Sequence, residues 1–175
     1  MLDPRYPIGK FTPPDVMTPA LRRQMIETIA ATPGEIRIAV KGLNDAQLAA
    51  PYREGGWTVK QVVHHLPDSH LNAYTRFKLA LTEDCPMVKP YDEAAWAALP
   101  DSAITPIEVS LVFLDGLHER WVNLLHSMRE EEFLRTYRHP EFQGTRSLDH
   151  LLAIYAWHGP HHVAHVTELR KRMGW

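Results

Sequence analysis

The chain has 175 residues, enough for one domain with a core of its own and no need of disulfide or metal staples. A formal net charge of -2 excludes the basic surface that nucleic-acid binding requires. One cysteine, Cys85, excludes an intrachain disulfide and fits a reducing compartment; its acidic neighbours Glu83 and Asp84 disfavour a reactive thiolate.

Residues 1–17 begin MLDPRYPIGKF, carry four prolines and lack the apolar run of a secretory leader, so they read as an extended arm packed on the surface. No stretch approaches the ~20 apolar residues of a membrane helix, and the expected location is the cytoplasm. A first helix starts at the Thr18 cap with Pro19 behind it, and Leu21, Met25, Ile26 and Ile29 keep helical spacing. Pro33-Gly34 makes it one kinked helix or two. Residues 44–52 form a connector with room for a short helical turn. Thr58 caps a second helix that runs to about Thr82, with Pro67 inside it. Residues 86–103 are loop-like around a short helix at 93–99. A third helix follows Thr105-Pro106 and ends near Met128. Residues 130–146 connect to a fourth, capped by Ser147 and ending near Arg172. No alternating strand pattern occurs. The fold class is therefore all-α: a single domain over 1–175, built as a four-helix bundle with long connecting loops.

Histidine is the unusual component. Of eleven, seven fall in two clusters: His64, His65 and His70 on the second helix, and His158, His161, His162 and His165 on the fourth. At about 100° per residue, with Val62 as the origin, His65 falls at about 300°, on the edge of the apolar face, while His64 points away at about 200°. His70 lies within the apolar arc and is a rival. On the fourth helix His158 and His162 sit inside the apolar face, four residues apart, so both can grip one ion. His161 and His165 lie progressively outward, and form a competing pair if Gly159-Pro160 resets the helix. Three neutral imidazoles would leave coordination positions for a metal-bound water or a thiolate. Ser69, Asn72 and Arg76 continue the polar strip that starts at His65 and are the candidate substrate-binding residues. Asp68 could orient a ligand ring. His118, His126 and His139 are surface or supporting residues, and the tryptophans are core or cavity wall. No inward carboxylate is evident as a general base. P-loop, dinucleotide, GxSxG and CxxC patterns are missing, which argues against nucleotide kinases, dehydrogenases and serine hydrolases.

Several segments resemble the YfiT-like branch of the DinB-like superfamily. They are Pro51-Tyr52-Arg53, GGWTVKQVVHHLPDSHLNAYTRFKLALTE at 55–83, KPYDEAAWAALPD at 89–101, LHERWVNLL at 117–125 and YAWHGPHHVAHV at 155–166. The resemblance implies an up-down-down-up bundle and one divalent metal ion, zinc or nickel, on His65, His158 and His162. It also implies a homodimer acting on a small-molecule substrate. The activity implied is metal-dependent hydrolysis; close relatives join a low-molecular-weight thiol such as bacillithiol to an electrophile, with Arg76 then holding a carboxylate of the thiol. The remaining alternative is a non-catalytic module that binds metal or a stress ligand.

Overall fold

Three of the four long helices start on a hydroxyl that accepts a backbone N–H. In the computed structural model, which describes residues 3–175, Thr18 caps α1 (Pro19–Val40), Thr58 caps α3 (Val59–Thr82) and Ser147 caps α7 (Leu148–Met173). Gln61 returns a bond to the Thr58 N–H and completes a capping box. The third long helix, α6 (Ile107–Ser127), has Pro106 at its cap and no side-chain bond, so Thr105 does not cap it as its sequence suggests. Met1 and Leu2 of the expected arm lie outside the described residues.

Short elements fill the connectors: α2 (Asp45–Leu48), α4 (Glu93–Ala97), α5 (Pro100–Ile104) and a 3-10 turn at Glu130–Leu134. The last connector also holds an antiparallel pair, β1 (Thr136–Arg138) and β2 (Thr145–Ser147), in register Tyr137 to Arg146. The all-helical expectation missed this hairpin because three-residue strands are too short to show a period of two.

Contacts between helices fix the topology. Side-chain and backbone pairs between α1 and α7 advance together (Arg22 with Asp149, the Ala39 carbonyl with Arg170), so these helices are parallel. Pairs between α3 and α6 also advance together (His64 with Ser110, His70 with His118), whereas α3 and α7 run oppositely (Ser69 with Tyr155, His65 with His158). The bundle is up-down-down-up, with α1 packed on α7 and α6, and α3 packed on α6 and α7. A parallel α3–α6 pair demands a long return, since the 24 residues of α3 rise ~36 Å. Residues 83–106 make that return, with α4 and α5 packed along α3, where Gln61 donates to the Ala97 carbonyl and Lys60 to that of Ala103.

Prolines sit inside three of these helices, Pro33 in α1, Pro67 in α3 and Pro160 in α7, and none divides its helix. Gly159 has a separate reason. A Cβ there would lie 2.3 Å from Thr32 Oγ1 and 2.8 Å from Thr32 Cγ2, so α1 and α7 touch through a missing side chain. Two apolar clusters occupy the ends of the bundle. One gathers around Phe77, Trp121, Leu148 and Tyr155, the other around Val62, Leu66, Leu114 and Val166. Where the two clusters meet, α1, α3 and α7 bury polar groups: Thr32, then Ser69 and His70, then His161, His162 and His165. At the lower end, Arg22 and Asp149 form a buried two-pronged ion pair (2.6 and 2.7 Å), to which Glu130 adds a third contact. Among the described residues no helix is long and apolar enough to cross a membrane.

Gly159→Ala is expected to lower stability by about 1–3 kcal/mol, because the stiff, fully buried Thr32 cannot turn away. Adding Thr32→Ala removes the two nearest atoms and should recover most of the loss. Urea unfolding of the two single variants and the double checks this: purely additive effects would show that the two positions do not meet.

Candidate metal centre

Between the two apolar clusters all four long helices contribute to one polar layer. α3 brings His65, Ser69 and His70, α7 brings His158 and His162, α6 brings His118, and α1 presents the carbonyl of Ile29. One ring nitrogen from each of His65, His158 and His162 lies within 4.8 Å of the others. The Nε2 atoms of His65 and His158 are 3.3 Å apart. Two imidazole nitrogens at about 2.1 Å from one ion in tetrahedral geometry would be separated by about 3.4 Å, so this spacing fits a shared ion.

Burial sets the charge of the cluster. It holds His65 down to about 4 and pushes His158 and His162 well below the ordinary 6.5, with neighbouring histidines adding to the effect. The rings are therefore neutral near pH 7, the form in which imidazole binds a metal. Trp57 packs against His65, with ring centres 4.6 Å apart, and Ser69 Oγ lies 3.5 Å from His158 Nε2.

A pocket of about 430 Å³ opens on this cluster. Its walls include Tyr52, Trp57 and Trp157, its charged groups Arg5, Arg53 and Glu93. Arg53 has no carboxylate partner among the described residues and donates to the Glu54 carbonyl at 2.8 Å. The Glu93 carboxyl is raised above its ordinary value by burial, partly offset by Arg76.

The polar strip on α3 does not act as a unit. Ser69 is buried at the histidine cluster, but neither Asn72 nor Arg76 lines the pocket. Asn72 donates to the Asp68 carbonyl at 2.9 Å and faces a separate cavity of about 450 Å³ with Lys89, Tyr91 and Trp96. Arg76 donates to the Lys89 carbonyl at 3.4 Å and leaves Nε unpartnered. Seven residues of helix carry Arg76 ~10 Å beyond Ser69, where the Lys89 loop closes over it.

The remaining histidines differ from their sequence reading for one reason: their flanks are covered. His64 was expected to face away, but α6 packs there and Ser110 Oγ meets His64 Nδ1 at 2.7 Å. His161 and His165 were placed outward, yet both are buried, because the N-terminal arm and the 52–57 loop fold over them. Tyr52 stacks on His165 at 4.0 Å between ring centres, and Trp157 on His161 at 4.2 Å. Asp68 hydrogen-bonds none of the ligand rings. Those rings are held instead by other histidines, His158 by His70 and His162 by His165. Glu93, Arg5 and Arg53 went unnoticed as site residues, since they reach the pocket from connectors and arm, where no period aims a side chain.

The sequence profile of the DinB superfamily matches residues 28–166. Proteins from Bacillus cereus and Bacillus mycoides, each carrying the name "Putative metal-dependent hydrolase", are 54% and 52% identical over 175 residues, covering 100% of this chain and of theirs. Among solved structures, YfiT from Bacillus subtilis superposes with a TM-score of 0.96 at 44% identity, covering 99% of each chain; it is described as "a probable metal-dependent hydrolase with an unusual four-helix bundle topology".

The neutral rings impose a pH dependence on the metal-free protein. Between the folded values, about 4 for His65, His118, His161 and His165, and the unfolded value of 6.5, the unfolded chain binds more protons than the folded one. Stability is therefore full above pH 6.5 and falls as the pH drops from 6.5 towards 4. Urea midpoints measured with chelator at about pH 7.5, 6 and 5 should decrease in that order. A constant midpoint would mean that these rings are not buried in their neutral form.

Proposed function

Because the chain belongs to the DinB superfamily, we propose that His65, His158 and His162 hold one divalent ion, zinc or nickel, and that the protein is a metal-dependent hydrolase of a small anionic substrate. One observation carries this reading. Three neutral donors converge within 4.8 Å below an open pocket, with no fourth protein ligand in the cluster among the described residues. A structural site closes its shell with four protein ligands, whereas a catalytic one keeps a position open. Imidazole donors suit zinc and nickel alike.

A divalent ion bound there would supply Lewis acidity, polarising a carbonyl or phosphoryl oxygen and favouring deprotonation of water or of a thiol. The chain's own residues do the rest. Trp57 and Tyr52 wall the pocket, Trp57 against His65 and Tyr52 against His165. Arg53 offers its guanidinium to an anionic group of the substrate, a task the sequence reading gave to Arg76. Glu93 places a carboxyl at the pocket wall, raised above its ordinary value by burial, where it can exchange a proton with the substrate.

Thiol transfer is the second reading. It is favoured by room for two reactants, since the start of α4 borders both spaces, Glu93 the 430 Å³ pocket and Asp92 the 450 Å³ cavity at Asn72. A homodimer would use the apolar stripe that α6 leaves exposed at Val109, Val112 and Phe113.

Elemental analysis of untagged protein should find about one ion per chain. His65→Ala, His158→Ala and His162→Ala should each weaken binding well beyond the ~10–100-fold that losing an outer hydrogen-bond partner costs. His126→Ala, on a half-exposed ring, should bind as the parent does. Carboxyl and phosphate esters are then assayed with and without a low-molecular-weight thiol. Turnover independent of thiol, lost with the triad, supports hydrolysis; product only with thiol replaces it by transfer; no metal uptake at all removes both.

A further inference from the structure

The ligand His158 is the end of a chain of three imidazoles. Its Nδ1 lies 3.0 Å from His70 Nε2, His70 Nδ1 lies 2.7 Å from His118 Nε2, and His118 Nδ1 lies 2.8 Å from the carbonyl oxygen of Ile29. His70 is fully buried and His118 nearly so, at 0% and 2% exposed, so water does not complete these bonds. A neutral imidazole has one N–H and one lone pair. The direction of every bond therefore follows from the last acceptor. A carbonyl only accepts, so His118 carries its hydrogen on Nδ1. Its Nε2 is then a lone pair and accepts from His70 Nδ1–H. His70 Nε2 in turn accepts from His158 Nδ1–H. His158 is left with a bare Nε2, the nitrogen that faces His65.

The last acceptor is available for a reason written in the sequence. In an α-helix the Ile29 carbonyl would accept from the N–H of residue 33. Residue 33 is proline, which has no N–H and yet sits inside an unbroken α1. Its partner removed, the carbonyl turns to His118. We infer that Pro33, Ile29, His118 and His70 are positioning residues that lock the ligand His158 in its Nδ1–H tautomer, with the proline-vacated carbonyl of α1 as the anchor. A carbonyl can neither supply nor take up a proton, so the chain fixes tautomers and does not conduct protons. A shorter chain acts alike on the other α7 ligand: His165 Nε2 lies 3.3 Å from the Arg5 carbonyl and its Nδ1 lies 3.3 Å from His162 Nδ1, which leaves His162 Nε2 bare.

The inference rests on the three-histidine metal site proposed above, and its test separates the two. The first measurement uses metal-free wild-type protein: two-bond proton–nitrogen correlations of the histidine rings, which report the tautomer without any metal. His70, His118 and His158 should all be Nδ1–H, although histidine in water favours Nε2–H. Zinc affinity by competition with a chelator is the second readout. His118→Leu removes the anchor and should weaken zinc binding by ~10–100-fold. His118→Gln, whose amide can donate to the Ile29 carbonyl and accept from His70, should restore most of it. Pro33→Ala returns an N–H to that carbonyl; it should raise the unfolding temperature while lowering zinc affinity, opposite signs that a merely structural role does not give. Nε2–H on His158 in the metal-free protein, or folded His118→Leu binding zinc as tightly as wild type, would overturn the inference. The expected tautomers in a protein that binds no zinc would leave the lock standing and sink the metal site instead.

Discussion

A layer of imidazoles crosses the middle of an apolar bundle, and every ring in it must match one donor and one acceptor. An unmatched buried nitrogen costs ~1–3 kcal/mol, so the layer would be a serious burden if left to chance. Chains of histidine answer the problem on two sides, each ending on a backbone carbonyl. What the chains leave over are the bare nitrogens of His158 and His162, pointed at one spot together with His65. The same bookkeeping that makes the interior tolerable thus produces the set of lone pairs that a cation needs. Orphaned nitrogens remain at the flanks of the layer, His64 Nε2 and His161 Nδ1, away from the point of convergence.

The up-down-down-up order makes this layer possible. Parallel α1 and α7 come close enough at Gly159 and Thr32 for the four helices to meet at one level. Antiparallel α1 and α6 bring the Ile29 carbonyl opposite His118. A simple up-down bundle would join consecutive helices by short loops. Here the long returns are also used: residues 83–106 place Glu93 in the pocket wall, and the arm before α1 brings Arg5 there.

Much of this was legible in the sequence and the rest was not, for physical reasons. The period of 3.6 puts His65, His158 and His162 on inward faces, and caps at Thr18, Thr58 and Ser147 fix three helix starts within a residue. A helical wheel, however, sees one helix at a time. It could put His70 in the apolar arc but could not see His118 across from it, and it turned His64 away and His161 and His165 outward because α6, the 52–57 loop and the arm that cover them are absent from the wheel. Arg76 shares the strip of His65 around α3, but a helix carries position along its axis as well, and Arg76 meets the Lys89 carbonyl instead of lining the pocket at the histidines. Glu93 has no signal at all, since a five-residue helix between prolines does not announce which way it faces.

The prolines carry the deepest of these lessons. Within a helix a proline costs ~3 kcal/mol and is read as a kink or a stop. Pro33, Pro67 and Pro160 stop none of their helices, and each strips the carbonyl four residues earlier, those of Ile29, Val63 and Ala156, of its helical partner. Two of these three carbonyls lie within one turn of a candidate ligand, Val63 beside His65 and Ala156 beside His158, and the third anchors the chain behind His158. A freed carbonyl is a fixed acceptor on a rigid rod, better placed than any flexible side chain to dictate where a neighbouring hydrogen sits. At Ile29 the structure realises that use directly. The local cost of Pro33 is therefore offset across the bundle, in a hydrogen bond on another helix, and the residue belongs to the machinery of the site although it touches none of its ligands.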